Sequence, residues 1–419
     1  MKKVSFKTVG CRLNKAETAK IRAGFIAAGY DAVAFKENAD VTVIHTCTIT
    51  GIAEKECIRL ARSIKRRNPS TFVIMAGCAA EVEQEKLKVE SGADLIAGQS
   101  IKYNLPQIIA DALDLPPIYI AESDISPAPI FDTTRAWLKI QDGCSFKCAY
   151  CIVPQTRGSS HSLPFTEIIE EAESLANNGF KEIIITGVNI GCYRNDGKKL
   201  VDIIKAIEKI NAIKRIRISS IEITTTERSI IEYMATSKKL CNFLHLPLQT
   251  GDDKLLKSMG RHYDSAYFRK LIEFVVETIP DIGLGTDIIT GLPGEDEKAF
   301  NNTFQLIQDY PFSNLHVFPY SIRQNTKAAD MENQITHQTS KKRTNKLIKL
   351  GAEKKQAFAE SFIGKEVTIL TEQIKSDGSA SGWTEQYIAA RINQTNLSPN
   401  QIISFTPTAY QNGKLISSE

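Results

Sequence analysis

Three closely spaced cysteines carry the strongest chemical signal in this sequence. Cys144, Cys148 and Cys151 stand in the run DGCSFKCAYC with the spacing C-x3-C-x2-C. Three thiolates on one loop can bind three irons of a [4Fe-4S] cube, whose complete ligation by protein needs four. The open iron can then chelate the amino and carboxylate groups of S-adenosylmethionine, as open positions in catalytic metal sites admit substrate. A zinc knuckle is the alternative, but it uses four ligands, typically in pairs, and no partner pair follows nearby.

A second set of cysteines is spread along the first part of the chain. Each lies within two residues of the carboxyl end of a predicted strand: Cys11 after Val4–Val9, Cys47 after Val41–Thr46 and Cys78 after Thr71–Ala76. Ligands in an open α/β sheet belong at that edge, so these thiols are expected to meet there and hold a second cluster with one iron free. The alternative is a buried apolar thiol, which suits Cys57, Cys192 and Cys241 because they follow no matching pattern.

Both cysteine sets need a scaffold of parallel strands. Up to residue 128, apolar extended runs alternate with helical patterns, which predicts an open parallel α/β domain. The next block has six strand candidates separated by helices, and it predicts a (βα)6 partial barrel. These candidates are Ala136–Gln141, Glu182–Val188, Arg215–Ser220, Phe243–Leu248, Gly283–Thr290 and Asn314–Tyr320. Cys144 then follows the first barrel strand, on the face where barrel enzymes carry their catalytic residues.

Changes of composition mark two domain boundaries. The stretch ESDISPAP at Glu122–Pro129 has linker composition and closes the first domain near residue 128. A long basic helix, predicted from about Gln338 to Ala359, ends the second domain. From Gly364 onward the runs VTIL, QYIAARI, IISFT and KLISS predict short antiparallel strands of a small β-barrel. The predicted domains are therefore residues 1–128, 129–360 and 361–419.

The overall composition narrows the class of protein. The chain has 419 residues, of which 42% are hydrophobic and 24% charged, as in ordinary globular proteins. The N-terminal run MKKVSFKTVG has no apolar core of a signal peptide, and no apolar run approaches the roughly 18 residues that span a bilayer. Nine scattered cysteines do not form a disulfide scaffold. A cytoplasmic protein without membrane association is expected, and its net charge of +4 permits a nucleic-acid partner without requiring one.

The C-x3-C-x2-C spacing on a six-strand βα block resembles the radical S-adenosylmethionine superfamily. Members of that superfamily pass an electron from the cluster to the sulfonium and release a 5′-deoxyadenosyl radical, which abstracts hydrogen from the substrate. The resemblance implies that Tyr150, the aromatic residue before the third cysteine, contacts the adenine through its backbone. Simple packing of the Tyr150 side chain is the alternative.

With both cysteine sets, nearly the whole chain resembles the methylthiotransferase family. The matching segments are VGCRLN from Val9 with Glu17, HTCT around Cys47 and AGC at Cys78, followed in the barrel block by TGV, RISSIE, HLPLQTG and DIITGLPGE. The final β region would be the TRAM domain of that family. Two departures stand out: His45 occupies a position where many members have Asn, and the final β region is short and weakly patterned.

Three residues of these barrel segments are candidate cofactor contacts. Gly187, Glu222 and Gln249 follow predicted strands at their carboxyl ends, where they could line a pocket for S-adenosylmethionine. Glycine at position 187 would allow close approach of the backbone. The alternatives are that Gly187 only makes a turn, and that Glu222 and Gln249 only satisfy buried backbone groups.

The family resemblance implies a tRNA methylthiotransferase with two [4Fe-4S] clusters, in which one S-adenosylmethionine supplies a methyl group and a second supplies the radical. The segments CTIT from Cys47 and HVFPYS from His316 most resemble the branch that converts N6-threonylcarbamoyladenosine at tRNA position 37 to its 2-methylthio derivative. The alternatives are methylthiolation of isopentenyladenosine or of a ribosomal protein aspartate. From another class, a noncatalytic iron-sulfur or RNA-binding protein also remains open.

The implied partners are a tRNA anticodon stem-loop, an electron donor of flavodoxin or ferredoxin type, and a source of sulfur. Two basic stretches are candidates for binding RNA phosphates. One comprises Arg59, Arg62, Lys65, Arg66 and Arg67, and the other Lys341, Lys342, Arg343, Lys346, Lys349, Lys354 and Lys355. Solvated helix faces produce similar runs, which is the alternative.

Overall fold

A computed structural model describes residues 2–112, 133–394 and 396–417 of the chain. The strands of the first domain are β1 (Lys3–Thr8), β2 (Asp31–Val33), β3 (Val41–Thr46), β4 (Phe72–Gly77) and β5 (Leu95–Ala97). They form one parallel sheet in the order β2-β1-β3-β4-β5. Strand β2 was not predicted, because it has only three residues, all partly exposed at the sheet edge. The open parallel α/β sheet itself is confirmed.

Helices connect these strands and cover the sheet. They are α1 (Arg12–Ala27), α2 (Gly51–Arg67), α3 (Cys78–Val82), α4 (Gln84–Ser91) and α5 (Leu105–Ala112). The hydroxyl of Thr50 caps α2 by accepting a hydrogen bond from the Ala53 N–H, while basic residues occupy the last turn. Helices α3 and α4 follow each other directly and are separated only at Glu83. The predicted linker Glu122–Pro129 and the boundary at residue 128 lie outside the described residues.

The central domain has strands β6 (Arg135–Lys139), β7 (Gln141–Asp142), β8 (His161–Ser162), β9 (Glu182–Thr186), β10 (Arg215–Ile218), β11 (Phe243–His245), β12 (Gly283–Thr290) and β13 (Asn314–Pro319). Six of them form two parallel sheets, β10-β9-β6 and β11-β12-β13. Backbone hydrogen bonds from Ile216 to Lys239 and from Cys241 to Ile216 join β10 to the segment before β11. The six strands therefore follow one another in chain order, and the small pair β7–β8 lies apart from them.

Helices separate these strands, as the alternating pattern predicted. They are α6 (Val153–Arg157), α7 (Phe165–Asn177), α8 (Leu200–Glu208), α9 (Arg228–Thr236), α10 (Asp253–Ser258), α11 (Ser265–Thr278), α12 (Glu297–Asp309) and α13 (His337–Glu360). One large apolar core unites the helices with the strands, and the fully buried Ile183 and Ile185 of β9 lie within it. Strands covered on both faces read as continuous apolar runs, which is the pattern of this block. The α/β class is confirmed.

The final domain is a six-stranded sheet with strands β14 (Val367–Ile374), β15 (Ala380–Thr384), β16 (Ala389–Ile392), β17 (Ile402–Phe405), β18 (Ala409–Gln411) and β19 (Lys414–Ile416). Their order is β17-β14-β15-β16-β19-β18. The pairs are antiparallel except β16–β19, which is parallel. The expectation of purely antiparallel strands is therefore wrong for one pair. Strands β15 and β18 were also not predicted.

The turn between β15 and β16 anchors the final domain to the amino ends of the central strands. Arg217 of β10 is fully buried and donates to the carbonyl oxygens of Thr384 (3.1 Å) and Glu385 (3.0 Å). Tyr387 has φ +64 and packs against Phe243 of β11, with 4.9 Å between ring centroids. Among the described helices, none is both long and apolar enough to cross a membrane.

Candidate active site

The loop 144–151 lies at the carboxyl end of β6, between β7 and α6. A hydrogen bond from the Cys144 N–H to the Gly158 carbonyl (3.0 Å) ties its start to the end of α6. Gly143 has φ +64, and a Cβ there would lie 2.0 Å from the carbonyl oxygen of Ser159, so only glycine fits. The three cysteines of the loop are partly buried. The fold thus presents all three thiols together at the strand ends.

The side chain of Gln141 fixes this loop to the next strand. It donates to the carbonyl oxygen of Gly143 (2.7 Å) and accepts from the backbone N–H groups of Val188 (3.0 Å) and Asn189 (2.7 Å). A Cβ on Gly187 would lie 2.8 Å from the carbonyl oxygen of Gln141. Because Gly187 has no side chain, Gln141 can approach closely and make these hydrogen bonds. Its direct contact with a cofactor stays a prediction.

Arg261 adds a cation beside the loop that was not predicted from the sequence. Its Nη1 lies 3.3 Å from the Sγ of Cys148, and its Nη2 pairs with the carboxylate of Glu222. Gly260 has φ +71 and approaches the carbonyl of Lys147, which brings the arginine to the thiol. Glu222, one of the predicted pocket residues, is thus linked to the cysteine loop through Arg261. No local motif marks Arg261, because its partners lie 113 and 39 residues away in sequence.

The other predicted pocket residues lie close to the third cysteine. Tyr150 and Gln249 line one cavity together with Cys151. Burial raises the pKa of the Tyr150 hydroxyl well above its usual range, so this group stays protonated. Gln249 has the left-handed φ of +70, which is uncommon for a residue with a side chain. Backbone hydrogen bonds of Gln249 to Asp287 and Ile289 hold that conformation.

The second cysteine set lies at the carboxyl edge of the first sheet. Cys11 precedes α1, Cys47 follows β3, and Cys78 begins α3 directly after β4. Because β1, β3 and β4 are neighbours in the sheet, the three thiols converge at one edge. A Cβ on Gly10 would lie 2.8 Å from the Sγ of Cys47, so glycine is required for this approach. Gln99 donates to the Sγ of Cys78 over 3.3 Å.

Neither cysteine set is arranged to bind a single metal ion. Among the described residues, only His245, Asp287 and His316 bring three ligand atoms within 4.8 Å of one another. Thiolates on one tetrahedral zinc lie about 3.8 Å apart, since Zn–S bonds are about 2.3 Å long. The sulfurs of each cysteine set are therefore too far apart for one zinc ion, and a group with several metal atoms, each bound by one thiolate, would be needed to bridge them.

Burial keeps the metal-free thiols protonated. It raises the pKa of the Cys47 thiol and of the Cys151 thiol to about 12. Burial also raises the pKa of Cys11, although the guanidinium of Arg157 opposes the rise. Iron binds the thiolate, so cluster assembly must displace these protons.

A buried network of charges joins the first two domains beneath the cysteines. The carboxylate of Glu17 on α1 lies 2.7 Å from Lys102, 2.8 Å from Lys139 and 2.9 Å from Arg157. Burial favours the protonated acid, but the Lys139, Arg157 and Lys102 cations together outweigh it and hold the pKa of Glu17 well below its usual range. His45, the residue that departs from the family pattern, lies 3.5 Å from Glu17, and burial lowers its pKa to about 3. His45 is therefore neutral in this network.

Arg157 stands between the two cysteine sets. It ends α6, the helix that follows Cys151, and α6 packs against α3, the helix that begins with Cys78. Its guanidinium donates to Asn14 over 2.8 Å, and Asn14 lies 3.6 Å from the Sγ of Cys11. The two cysteine sets therefore face each other across this domain boundary.

A cavity of about 220 Å³, lined by Cys151 of the central set, opens at this boundary. Its lining comes from both domains: Ile49, Thr50, Tyr150, Cys151, Ile152, Gln249, Asp287, Ile289, Phe318, Pro319, Tyr320 and Ser321. The segments CTIT and HVFPYS, which were noted in the sequence, thus meet around one space. A hydrogen bond of 3.2 Å from the Gly51 N–H to the Ser321 hydroxyl joins them.

Comparisons with known proteins define the class. Residues 138–307 match the model of the radical SAM superfamily, and residues 3–98 match an uncharacterized protein family, UPF0004. A radical S-adenosylmethionine methyltransferase, TsrM, from Kitasatospora setae has a similar fold with a TM-score of 0.57 at 12% sequence identity. The match covers 78% of this chain and 77% of that one.

Relatives over nearly the full length define the family. The threonylcarbamoyladenosine tRNA methylthiotransferases MtaB of Aquifex aeolicus and Bacillus subtilis are both 33% identical, over 88% and 93% of this chain and 92% and 90% of theirs. A tRNA-2-methylthio-N(6)-dimethylallyladenosine synthase of Acetivibrio thermocellus is 29% identical over 98% of this chain and 86% of its own. The chain belongs to the radical S-adenosylmethionine methylthiotransferase family, which confirms the expectation from its motifs.

Proposed function

We propose that this chain is a tRNA methylthiotransferase that converts threonylcarbamoyladenosine at tRNA position 37 to its 2-methylthio derivative. The observation that carries this proposal is that two three-cysteine sets, on different domains, face each other across a boundary where residues of both domains and Cys151 line one cavity. The names of the MtaB relatives support this substrate over the alternatives. The enzyme would act in the cytoplasm, where tRNA is found.

The six cysteines fit two [4Fe-4S] clusters, one held by Cys144, Cys148 and Cys151 and the other by Cys11, Cys47 and Cys78. When bound, these groups and S-adenosylmethionine supply a 5′-deoxyadenosyl radical and a methylated sulfur. Tyr150, Gly187, Glu222 and Gln249 would contact the S-adenosylmethionine. A flavodoxin or ferredoxin type protein would supply electrons, and the sulfur source is a separate partner.

The protein residues hold the reacting groups in position. Arg261 stabilises the cluster loop through the thiol of Cys148 and keeps Glu222 in place by charge. Arg157 and Glu17 fix the distance between the two cysteine sets, because their buried ion pair spans both domains. A fixed separation of the two sets holds the reacting groups in one orientation instead of leaving them to meet by diffusion.

The architecture suits a flipped nucleoside of an RNA loop. We propose that the six parallel strands form an open (βα)6 barrel with its catalytic face at the cavity, and that the final domain is a TRAM-like barrel. That barrel would bind the tRNA anticodon stem-loop, as small β-barrels bind single-stranded RNA. Its anchoring at the amino ends of the central strands leaves the catalytic face open.

Anaerobic reconstitution tests the proposed function. The protein with restored clusters is incubated with S-adenosylmethionine, dithionite and an anticodon stem-loop that carries threonylcarbamoyladenosine. The expected products are 5′-deoxyadenosine and the 2-methylthio nucleoside, both measured by mass spectrometry. Formation of neither product, with clusters intact, would refute the proposal in favour of a noncatalytic iron-sulfur protein.

Methylthiolation of dimethylallyladenosine is the second candidate, because relatives of that name are also 29% to 32% identical to this chain. A parallel reaction with a stem-loop that carries dimethylallyladenosine distinguishes the two. Turnover of that loop alone would transfer the assignment to the sister branch.

A further inference from the structure

Arg323, a buried arginine two residues after the cavity-lining Ser321, has donor groups without a partner. The side chain of Arg323 is 8% exposed, and its Nη1 donates to Glu54 over 2.8 Å. Its Nε and Nη2 are buried and have no hydrogen-bond partner among the described residues. These two nitrogens form the edge that binds a carboxylate in bidentate fashion. A buried cation with an unused edge of this kind is suited to a ligand, since unpaired buried donors are costly.

The unused edge lies at the amino end of α2. A Cβ on Gly51, the first residue of that helix, would lie 3.8 Å from the Nη2 of Arg323 and 3.8 Å from the hydroxyl of Ser321. Thr50, the capping residue, lines the cavity together with Ser321. The amino end of this 17-residue helix adds a partial positive charge at the same point.

Two hydroxyl groups at this point can donate to a ligand. Ser321 accepts from the Gly51 N–H, and Thr50 accepts from the Ala53 N–H. Each hydroxyl therefore uses its oxygen within the protein and keeps its hydrogen to donate.

Arg323 shares its carboxylate partner with a second cation. Glu54, in the first turn of α2, pairs with both Arg323 and Lys86, and Lys86 also lies near Glu83 and Glu90. The side chains of Arg323 and Glu54 are almost fully buried. An oxyanion at the unused edge would give the buried guanidinium the acceptors that it lacks.

We propose that Arg323, Ser321, Thr50 and the amino end of α2 form an oxyanion site that recognises the carboxylate of the threonylcarbamoyl group on the substrate base. This inference rests on the proposed function and names the residues that select its substrate. A dimethylallyl group carries no charge and would leave the arginine edge unpaired, so the same site rejects it.

A backbone phosphate next to the target nucleotide is the other oxyanion that the loop offers. The carboxylate is the better match because the Arg323 edge is buried, beside Gly51 and near the Ser321 hydroxyl that lines a cavity of about 220 Å³, whereas phosphates stay on the surface of a stem-loop. Planar bidentate geometry also suits a carboxylate.

Binding of three stem-loops tests the proposal. The loops carry threonylcarbamoyladenosine, the same group with its carboxylate converted to an amide, or plain adenosine. The expected result for the cluster-loaded protein is that the carboxylate loop binds about tenfold or more tightly than the amide loop, as measured by fluorescence anisotropy without oxygen. The variant Arg323→Gln should lose this preference, Arg323→Lys should keep part of it, and Ser321→Ala should reduce it less.

Two outcomes would overturn the proposal. One is an equal affinity of the unmodified protein for the carboxylate and amide loops. The other is that Arg323→Gln, with unchanged iron content and thermal unfolding, loses the same factor in affinity for all three stem-loops. That result would point to a contact with a backbone phosphate. The product assay is independent of both outcomes. If the unmodified protein methylthiolates the threonylcarbamoyl loop without preferring carboxylate over amide, this inference fails and the proposed function stands.

Discussion

At the residue scale, the three cysteines of each set are brought together by different parts of the fold. The central set lies on one loop, so its spacing in sequence alone predicts the shared site. The other set is collected from three strand ends by the parallel sheet, and Gly10 and Gly77 have positive φ values directly before Cys11 and Cys78. The separate supports imply that the two proposed clusters form independently.

Removing each cysteine set tests that independence. In Cys11→Ala/Cys47→Ala/Cys78→Ala, the iron content is expected to fall from about eight to about four per chain. This variant should still form 5′-deoxyadenosine but no methylthio product, because the central loop is intact. The variant Cys144→Ala/Cys148→Ala/Cys151→Ala should lose 5′-deoxyadenosine formation. Cys57→Ala is the matched control, since Cys57 is a buried thiol of the same domain on α2. Loss of all iron from either triple variant would contradict independent sites.

Arg261 is expected to tune the central cluster. Replacing it in Arg261→Met removes a charged donor 3.3 Å from the Sγ of Cys148. Hydrogen bonds to cluster sulfurs set the reduction potential, so the potential should fall and 5′-deoxyadenosine formation should slow about 10- to 100-fold. Electron paramagnetic resonance during a redox titration measures the potential. Arg269→Met, which breaks a surface pair with Asp309, is the control. An unchanged potential would mean that Arg261 acts only through Glu222.

Candidate cysteine ligands are easier to predict from the sequence than the charged residues around them. Cysteine spacing and strand ends are local signals, so all six candidates could be named in advance. Arg157, Arg261 and Arg323 could not, because each becomes important through contacts with residues far away in sequence. Arg157, for example, meets Glu17 across 140 residues.

At the element scale, long apolar strands were predictable and short edge strands were not. The runs of β3 and β9 are fully buried and could be located within a few residues. Strand β2 has three partly exposed residues, and β18 has three residues at the edge of the last sheet. Such strands depend on pairing with a neighbour rather than on their own apolar pattern, and sequence periodicity does not detect them.

The contact between α1 and α6 is expected to hold the first two domains together. In Glu17→Gln, the cations of Lys102, Lys139 and Arg157 lose their shared anion, which should cost about 3–5 kcal/mol of unfolding free energy at pH 7. Denaturation with urea measures this loss. Glu56→Gln on the surface of α2 is the control and should cost less than about 1 kcal/mol. A similar small effect for both variants would show that the network does not stabilise the interface.

The loss of stability in Glu17→Gln should depend on pH in a defined way. The pKa of Glu17 is lowered in the folded protein. The carboxylate therefore contributes fully to the free energy of unfolding above the pKa of an unfolded glutamate, about 4.3, and this contribution is lost as the pH falls further. The difference in unfolding free energy between the unmodified protein and Glu17→Gln should therefore be constant from pH 8 to about 5 and should shrink at lower pH. A difference that grows on acidification would contradict this assignment.

The turn between β15 and β16 depends on Arg217. In Arg217→Met, two carbonyl oxygens of the turn lose their donor, and Glu182 loses a buried partner at 3.1 Å. We expect the final domain to detach, because such losses cost about 3 kcal/mol or more. Limited proteolysis should then release it, while the iron content stays unchanged. Arg391→Met, which breaks a surface pair with Asp377, should leave the proteolysis pattern as it was. If neither variant released the final domain on limited proteolysis, Arg217 would not be required to anchor it.

At the scale of the whole molecule, the fold places the two basic stretches differently relative to the cavity, although the sequence presents both as candidates for binding RNA. Helix α2 begins at the cavity and runs about 25 Å away from it, so Arg66 and Arg67 lie at the far end. Helix α13 begins beside the catalytic edge, since the Ser340 hydroxyl donates to the carbonyl of Thr290 at the end of β12. Lys341 and Lys342 are exposed there. Arg343 is buried instead and pairs with Glu295.

A stem-loop whose target base enters the cavity should therefore contact Lys341 and Lys342 and not Arg66 and Arg67. In Lys341→Ala/Lys342→Ala, stem-loop affinity should fall, and the slope of log affinity against log salt should decrease by about 0.7–0.9 for each phosphate that a lysine no longer neutralises. Arg66→Ala/Arg67→Ala removes the same charge and is the matched control. Anisotropy titrations at several salt concentrations measure both slopes. If only the arginine variant bound more weakly, the RNA would approach from the opposite end of α2, and a base could not reach the cavity between the two cysteine sets.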